Sequence, residues 1–138
     1  KKIKEFHFKI VGYDIDPVTL KKANENIVAA NLSEFVTLEH CDFFETEKGR
    51  DRQLFLVFNP PYDERISIDN VERFYANIGN TLKRSYPDSQ AWMITSNLEA
   101  LKYVGLRPSK KIKLFNGKLE SKLVQYEMYA GSKKAKKQ

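Results

Sequence analysis

Apolar residues recur along the chain in two spacings, which predict strands alternating with helices. The segments typical of buried strands are short, rich in β-branched and aromatic residues, and bounded by polar positions: 8–14, 35–41, 54–59 and 91–95. Helical spacing links Leu20, Ala23, Ile27 and Ala30 in one segment and Val71, Phe74, Ile78 and Leu82 in another. A short third helix is expected at 98–104. This order of elements is typical of an α/β protein.

Local signals set the ends of these elements. Asp16 followed by Pro17 is typical of a helix start, an aspartate cap with proline in the first helical position, and Asn31 is a plausible stop. The second long helix is expected to end near Tyr86 and Pro87. Two last strands, at 110–115 and 122–129, predict an antiparallel ending, and the residues between them suggest a loop longer than a tight hairpin turn.

Composition restricts the class of protein. The 138 residues, 41% hydrophobic and 30% charged, suit one globular domain. No apolar stretch approaches the ~20 residues of a membrane span. The single cysteine, Cys41, suits a reducing cytoplasm, and with only two histidines the chain is not expected to bind a metal.

The positive charge is concentrated near the end of the chain. The net charge is +6, and ten Lys or Arg residues between Gly105 and Gln138 face only Glu120 and Glu127. Four of the ten lie in the last seven residues, 132–138, which we expect to be a disordered basic tail. The segment is either a solvated surface or a face that binds nucleic acid through its phosphates.

Three consecutive strands are expected to end in a polar side chain: Asp14, Asp42 and Asn59. In open α/β sheets, ligands bind at the carboxyl ends of the strands. Because Asp16 fills the helix cap, Asp14 has no obvious structural role and could accept both hydroxyls of a ribose. Asp42 could accept a hydrogen bond from the exocyclic amine of a purine.

The segment that ends the third strand, Asn59-Pro60-Pro61-Tyr62, is rare by composition. With the two acid-ended strands before it, it resembles class I S-adenosylmethionine-dependent methyltransferases that modify exocyclic amines of nucleobases. In that resemblance, Asp14 of VGYDIDP matches the acid that binds the cofactor ribose, and Asp42 of EHCDFFE matches the acid near the adenine ring. Residues 59–62 match the catalytic motif, with Asn59 also beside the cofactor.

Two further segments narrow the resemblance. NPPYDERI and LFNGKLESKLVQYEMYAG look like the THUMP-associated family (the RlmL type) that methylates N2 of a guanine in 23S ribosomal RNA, over residues 8–131. Asp63 departs from the glycine usual in that family. The resemblance implies S-adenosylmethionine as cofactor and 23S ribosomal RNA as substrate. Adenine-specific DNA methylases share the four-residue motif, so an N6-adenine methyltransferase is the first alternative.

The chemistry that the resemblance implies suits these residues. The Asn59 side-chain oxygen and the Pro60 carbonyl would accept the two N–H groups of an exocyclic amine, which makes the nitrogen a better nucleophile. Pro60 and Pro61 would hold that geometry without an entropy cost at each turnover. Tyr62 would stack on the extracted base. No general base is required, since the amine can lose its proton after methyl transfer.

Some nearby residues allow a plainer interpretation. Glu64 and Arg65 form either a surface ion pair or, with Arg65 on an RNA phosphate, part of the substrate site. His40 and Cys41 are expected to be packing residues, because neither has a partner that suggests nucleophilic catalysis.

The family also has a first strand followed by a glycine-rich loop, and the six glycines here are isolated. We therefore expect a partial Rossmann-like class I methyltransferase sheet that lacks its first strand. Residues 1–131 would be the C-terminal part of the catalytic domain, inactive alone and able to self-associate through an exposed sheet edge. The second alternative is a noncatalytic RNA-binding fragment that uses the basic residues 110–137.

Overall fold

The computed structural model describes Glu5 and residues 7–48, 53–61 and 68–129. The chain divides into two compact units, Lys1–Thr46 and Glu47–Gln138. Within the described ranges, no helix is both long enough and apolar enough to cross a membrane.

The first unit is a strand–helix–strand crossover. Its elements are β1 (Ile10–Asp14), α1 (Pro17–Ala29), β2 (Val36–His40) and a 3₁₀ turn, Phe43–Glu45. The two strands are parallel, as helical crossovers require, with Ile10 opposite Val36 and Asp14 opposite His40. A Cβ on Gly12 would lie 2.8 Å from Leu38 Cδ2, so a larger residue there would require the Leu38 side chain of β2 to shift.

The ends of α1 follow the local sequence signals. Asp16 caps the helix by accepting from the Val18 amide at 3.0 Å and the Thr19 hydroxyl at 2.8 Å, and Pro17 begins the helix. These hydrogen bonds lower the pKa of Asp16 below its usual range. The helix ends at Ala29, and Asn31 has φ 60°, a left-handed conformation that asparagine tolerates. The predicted start and stop are both confirmed.

The second unit is a mixed four-stranded sheet with one long helix. Its elements are β3 (Phe55–Phe58), α2 (Ile68–Ser85), β4 (Ser89–Thr95), a 3₁₀ turn at Ala100–Tyr103, β5 (Lys110–Asn116) and β6 (Leu119–Met128). The strand order is β3-β4-β6-β5. The β3–β4 pair is parallel, and both pairs made by β6 are antiparallel. The predicted α/β class with an antiparallel ending is confirmed.

The core lies between α2 and one face of β4 and β6. Alternate residues of β4 are buried, and on β6 Val124 and Tyr126, opposite Met93 and Ala91, are buried too. On α2 the predicted stripe contributes Ile78 and Leu82, and Tyr75, outside that stripe, is also fully buried. The apolar face of α2 and the buried positions of β4 and β6 therefore form one core on one side of the sheet.

The connection between β5 and β6 differs from expectation. Asn116 pairs with Leu119, which leaves only Gly117 and Lys118 in the turn, a tight two-residue hairpin. Gly117 has φ 64°, the conformation that such turns need and glycine adopts without strain. The expected longer loop is wrong because Leu119, Glu120 and Ser121 already belong to β6.

Candidate functional site

Two of the three predicted polar strand ends lie together in the first unit. Asp14 ends β1, and Asp42 follows β2 by two residues, while the Cys41 amide between the strands donates to the Asp14 carbonyl at 3.1 Å. Asp14 and Asp42 are both half-buried. The parallel register therefore brings both carboxylates to the same edge of this small sheet.

Each carboxylate orders the backbone that follows it. Asp14 Oδ1 accepts from the Asp16 amide at 2.8 Å, and Asp42 Oδ1 accepts from the Phe44 amide at 2.9 Å, where it caps the 3₁₀ turn. The expectation that Asp14 has no structural role is thus wrong, because it shapes the turn before Asp16 caps α1. Among the described residues, Oδ2 of Asp14 and of Asp42 accepts no hydrogen bond. One oxygen of each acid is therefore available to a ligand.

The charge at this edge is negative. Burial, and then the acids Glu39, Asp42 and Glu45, raise the pKa of the Cys41 thiol. Burial, followed by Glu39 and Cys41, also raises the pKa of Tyr13. Because Cys41 is held as a thiol, this site disfavours a cysteine nucleophile and favours a ligand that donates hydrogen bonds.

His40 has a role that the sequence did not reveal. It is exposed, and its Nε2 lies 2.8 Å from the Ile15 carbonyl oxygen, to which it must donate. The expectation that His40 is a packing residue is therefore wrong. The bond ties the end of β2 to the loop directly after Asp14. No sequence signal could have found it, since the two residues are 25 positions apart.

The third polar strand end lies in the second unit. Asn59 and Pro61 are exposed and Pro60 is buried, so the first proline anchors the segment that leaves β3. Tyr62 and Arg65 lie outside the described residues, and the roles expected for them stay predictions. The sequence placed Asn59 correctly at the carboxyl end of its strand.

Beside this strand end, β4 terminates in a hydrogen-bonded group. Phe58 pairs with Met93, so the two parallel strands reach the same edge of the sheet. Thr95 Oγ1 accepts from the Asn97 amide at 3.0 Å, and Asn97 Oδ1 accepts from the Ala100 amide at 3.1 Å. These residues fix the backbone next to the strand that ends at Asn59, and the sequence analysis did not single them out.

Known proteins resemble the chain over most of its length. A curated relative, the ribosomal RNA large subunit methyltransferase K/L of Cellvibrio japonicus, is 34% identical over 124 residues, which are 87% of this chain and 16% of that enzyme. A solved structure described as a possible methylase from Clostridium difficile 630 has a TM-score of 0.80 at 32% identity, covering 94% of this chain and 34% of that one.

A second solved structure, the methyltransferase SMU.472 complexed with S-adenosylhomocysteine, has a TM-score of 0.77 at 27% identity. It covers 89% of this chain and 32% of its own. The chain thus spans about a sixth of the curated relative and about a third of the solved structures. The family model described as RMKL-like, methyltransferase domain, matches residues 1–125. The chain belongs to the RMKL-like methyltransferase domain family.

Proposed function

We propose that this chain is part of an enzyme that transfers a methyl group from S-adenosylmethionine to the exocyclic N2 amine of a guanine in 23S ribosomal RNA. The observation that carries the proposal is the family match over residues 1–125, which includes the prolines that follow β3. The methyltransferase K/L relative is named for action on large-subunit ribosomal RNA.

The first unit offers residues that suit the cofactor. Asp14 Oδ2 can accept from a ribose hydroxyl while Oδ1 keeps its bond to the Asp16 amide. Asp42 Oδ2, at the end of the neighbouring strand, can accept from the adenine amine. The cofactor, when bound, supplies an electrophilic methyl group on a sulfonium. The resemblance to the family implies that Asn59 contacts the cofactor as well.

The second unit offers the acceptors for the amine. The Asn59 side-chain oxygen and the Pro60 carbonyl would accept its two N–H groups, so that the nitrogen lone pair is less delocalised into the base. Burial of Pro60 keeps this backbone fixed. The proton leaves the amine after methyl transfer. We further propose that Tyr62 stacks on the target base and that Arg65 contacts a phosphate of the RNA.

The test measures methyl transfer by a protein that contains this chain within its full natural sequence. It would be incubated with tritiated S-adenosylmethionine and 23S ribosomal RNA, and the digested nucleosides would be separated. We expect N2-methylguanosine from the unchanged protein, and at least ~100-fold slower turnover from Asn59→Ala. The control is Asn80→Ala, which removes an exposed amide on α2. An unchanged rate in Asn59→Ala would remove the residue from the mechanism.

The same assay decides between the alternatives. N6-methyladenosine in place of N2-methylguanosine, or methylation of duplex DNA, would identify an adenine methyltransferase, because the four-residue motif suits both amines. RNA binding without any methylated product would identify a noncatalytic RNA-binding protein that uses the basic segment 110–137. Cytoplasmic location stays a prediction that rests on the single Cys41.

We also propose that residues 1–131 form the C-terminal part of the catalytic domain, followed by a basic tail at 132–138, which lies outside the described residues. Among the described strands, β1 pairs only with β2, and β3 pairs only with β4. Each therefore has one unpaired edge, and Ile10 and Val57 on them are 52% and 71% exposed. In a longer protein, a further strand would pair with each of these edges.

Without such a strand, the chain alone should self-associate through these edges. Light scattering after size-exclusion chromatography would give the mass at several concentrations. Val57→Lys, which places a charge on the β3 edge, should return the chain to a monomer. Val18→Lys, at an exposed position of α1, is the matched control and should not. A monomeric mass for the unchanged chain at every concentration would overturn the proposal.

A further inference from the structure

The β5–β6 hairpin extends past the edge of the sheet at which Asn59 lies. Lys122 of β6 is the partner of Thr95, the last residue of β4, so the residues of β6 from Ser121 back to Leu119 pair only with β5. With the two-residue turn, the hairpin overhangs the end of β4 by about 10 Å at ~3.4 Å per residue. Since β3 is parallel to β4, this overhang lies beyond the carboxyl ends of both strands.

Lysines lie at the base of this overhang, Lys113 and Lys122, and in its turn, Lys118, and the fold does not neutralise their charge. Lys113 and Lys122 are direct cross-strand partners, an arrangement that disfavours folding because like charges face each other. Glu120 reaches Lys113 at 3.8 Å, but both side chains are exposed and such a pair contributes little. Between Gly105 and Tyr129 there are six Lys or Arg residues and two Glu.

An aromatic ring accompanies these lysines. Every residue of β5 is exposed, and Phe115, one residue from its end, is 63% exposed. Lys111, Lys113 and Phe115 alternate along the strand and therefore point to the same face, which Lys122 shares as the partner of Lys113. An exposed ring beside lysines on one face is the pattern of surfaces that bind single-stranded nucleic acid, where phosphates meet cations and bases stack.

We propose that the hairpin tip, residues 113–122, binds the single-stranded RNA that flanks the target guanine. Lys113, Lys118 and Lys122 contact phosphates, and Phe115 stacks on an unpaired neighbouring base. The choice of RNA as ligand rests on the proposed function, whereas the surface itself is defined by the hairpin geometry. A strand held there would run along the edge at which Asn59 presents its amide, which positions the nucleotide for extraction.

The experiment measures RNA binding by the chain itself, without cofactor or turnover. A fluorescein-labelled single-stranded RNA would be titrated by anisotropy over a series of salt concentrations. The test variant combines Lys113→Ala, Lys118→Ala and Lys122→Ala. The matched control combines Lys9→Ala, Lys21→Ala and Lys22→Ala, which removes the same charge from exposed positions of the first unit. Far-UV circular dichroism checks that both triple variants fold. If the hairpin variant does not fold, the single substitution Lys113→Glu replaces it.

We expect the hairpin variant to lower the slope of log affinity against log salt by about 2, at ~0.7 for each phosphate contact. The control should change it by less than about 0.5. Phe115→Ala should weaken RNA binding by about fivefold or more and leave inorganic polyphosphate binding unchanged, since stacking requires a base. Leu119→Ala, exposed at the same tip, is its control and should change neither.

Equal losses in the two lysine variants would overturn the proposal, since binding would then depend on net charge alone. Competition by polyglutamate as strong as by RNA would overturn it as well, and would indicate a surface for acidic proteins. This binding result does not depend on catalysis. If the hairpin variants lose RNA binding as expected but the longer protein transfers no methyl group, only the proposed function is contradicted. If the longer protein transfers the methyl group but the variants bind RNA as the unchanged chain does, only the hairpin proposal is contradicted.

Discussion

Tyr75 of α2 and Thr95 of β4 share a buried hydrogen bond of 2.6 Å between their hydroxyl oxygens. Thr95 is the last residue of its strand, and its oxygen also accepts from the Asn97 amide at 3.0 Å. The bond therefore fixes the long helix to the end of β4, beside the strand that leads to Asn59. A hydrogen bond of the core thus stabilises the edge of the sheet at which methyl transfer is proposed to occur.

Another buried tyrosine, Tyr126, has no such partner among the described residues. Its hydroxyl is buried with no hydrogen bond among the described residues. We expect Tyr126→Phe to raise the free energy of unfolding by about 1 kcal/mol, because an unsatisfied polar group is removed. Tyr75→Phe should lower it by about 1 kcal/mol, since the bond to Thr95 is lost. Urea unfolding of the matched pair measures both, and equal effects would contradict the assignment of the bond.

Stability should fall in alkali because of Tyr126. Burial, with a smaller effect of Tyr75, raises the pKa of Tyr126 from 10.0 to about 12. Below pH ~10 both the folded and the unfolded state keep the proton, so the stability is fully present. Between about pH 10 and 12 the unfolded state ionises first, and the stability is lost progressively. Urea midpoints across this range should fall less steeply in Tyr126→Phe, and identical slopes would contradict the prediction.

Gly79 is the point at which α2 meets the 3₁₀ turn at Ala100–Tyr103. A Cβ at Gly79 would lie 1.6 Å from the carbonyl oxygen of Val104, a clash with backbone that no rotamer can relieve. We expect Gly79→Ala to lower the free energy of unfolding by about 3 kcal/mol, although alanine is the better helix former. Asn80→Ala, one residue further on the exposed side, should change it by less than about 0.5 kcal/mol. Chemical denaturation compares the two.

The role of Asp14 can be tested without disturbing its turn. Asp14→Asn keeps an oxygen for the Asp16 amide but removes the charge, so we expect the affinity of the longest protein containing the chain for S-adenosylmethionine to fall at least about tenfold. Asp16→Asn is the control, since asparagine also caps helices and this residue is not expected to touch the cofactor. Calorimetric titration measures both affinities. Unchanged binding in Asp14→Asn would remove the residue from the ribose site.

What the sequence predicted correctly depends on local chemistry. The cap of Asp16 and Pro17 and the left-handed stop at Asn31 require only neighbouring residues, so they could be inferred one at a time. The hairpin was harder because β6 begins with charged and small residues that resemble a loop, and only pairing with β5 shows that they are a strand.

Contacts between distant residues could not be predicted in this way. The bond from His40 to the Ile15 carbonyl joins two strand ends that come together only once β1 and β2 have paired. Asp14 was predicted at the correct position, but its bond to the Asp16 amide was missed because the same aspartate was considered only as a ligand. Asp14, Asp42 and Asn59 all lie at or just past strand ends, which follows from the hydrophobic pattern alone.

Within the described part of the chain, the buried hydrophobic residues all lie between Tyr75 and Met128, and α1 buries none of its residues. Amide protons of β1 and β2 should therefore exchange with solvent through local opening, at a lower free energy than those of β4 and β6. A nucleoside held by Asp14 and Asp42 would slow that exchange in β1 and β2 and leave the rest of the chain unchanged. Part of its binding free energy would then be used to order the protein that receives it.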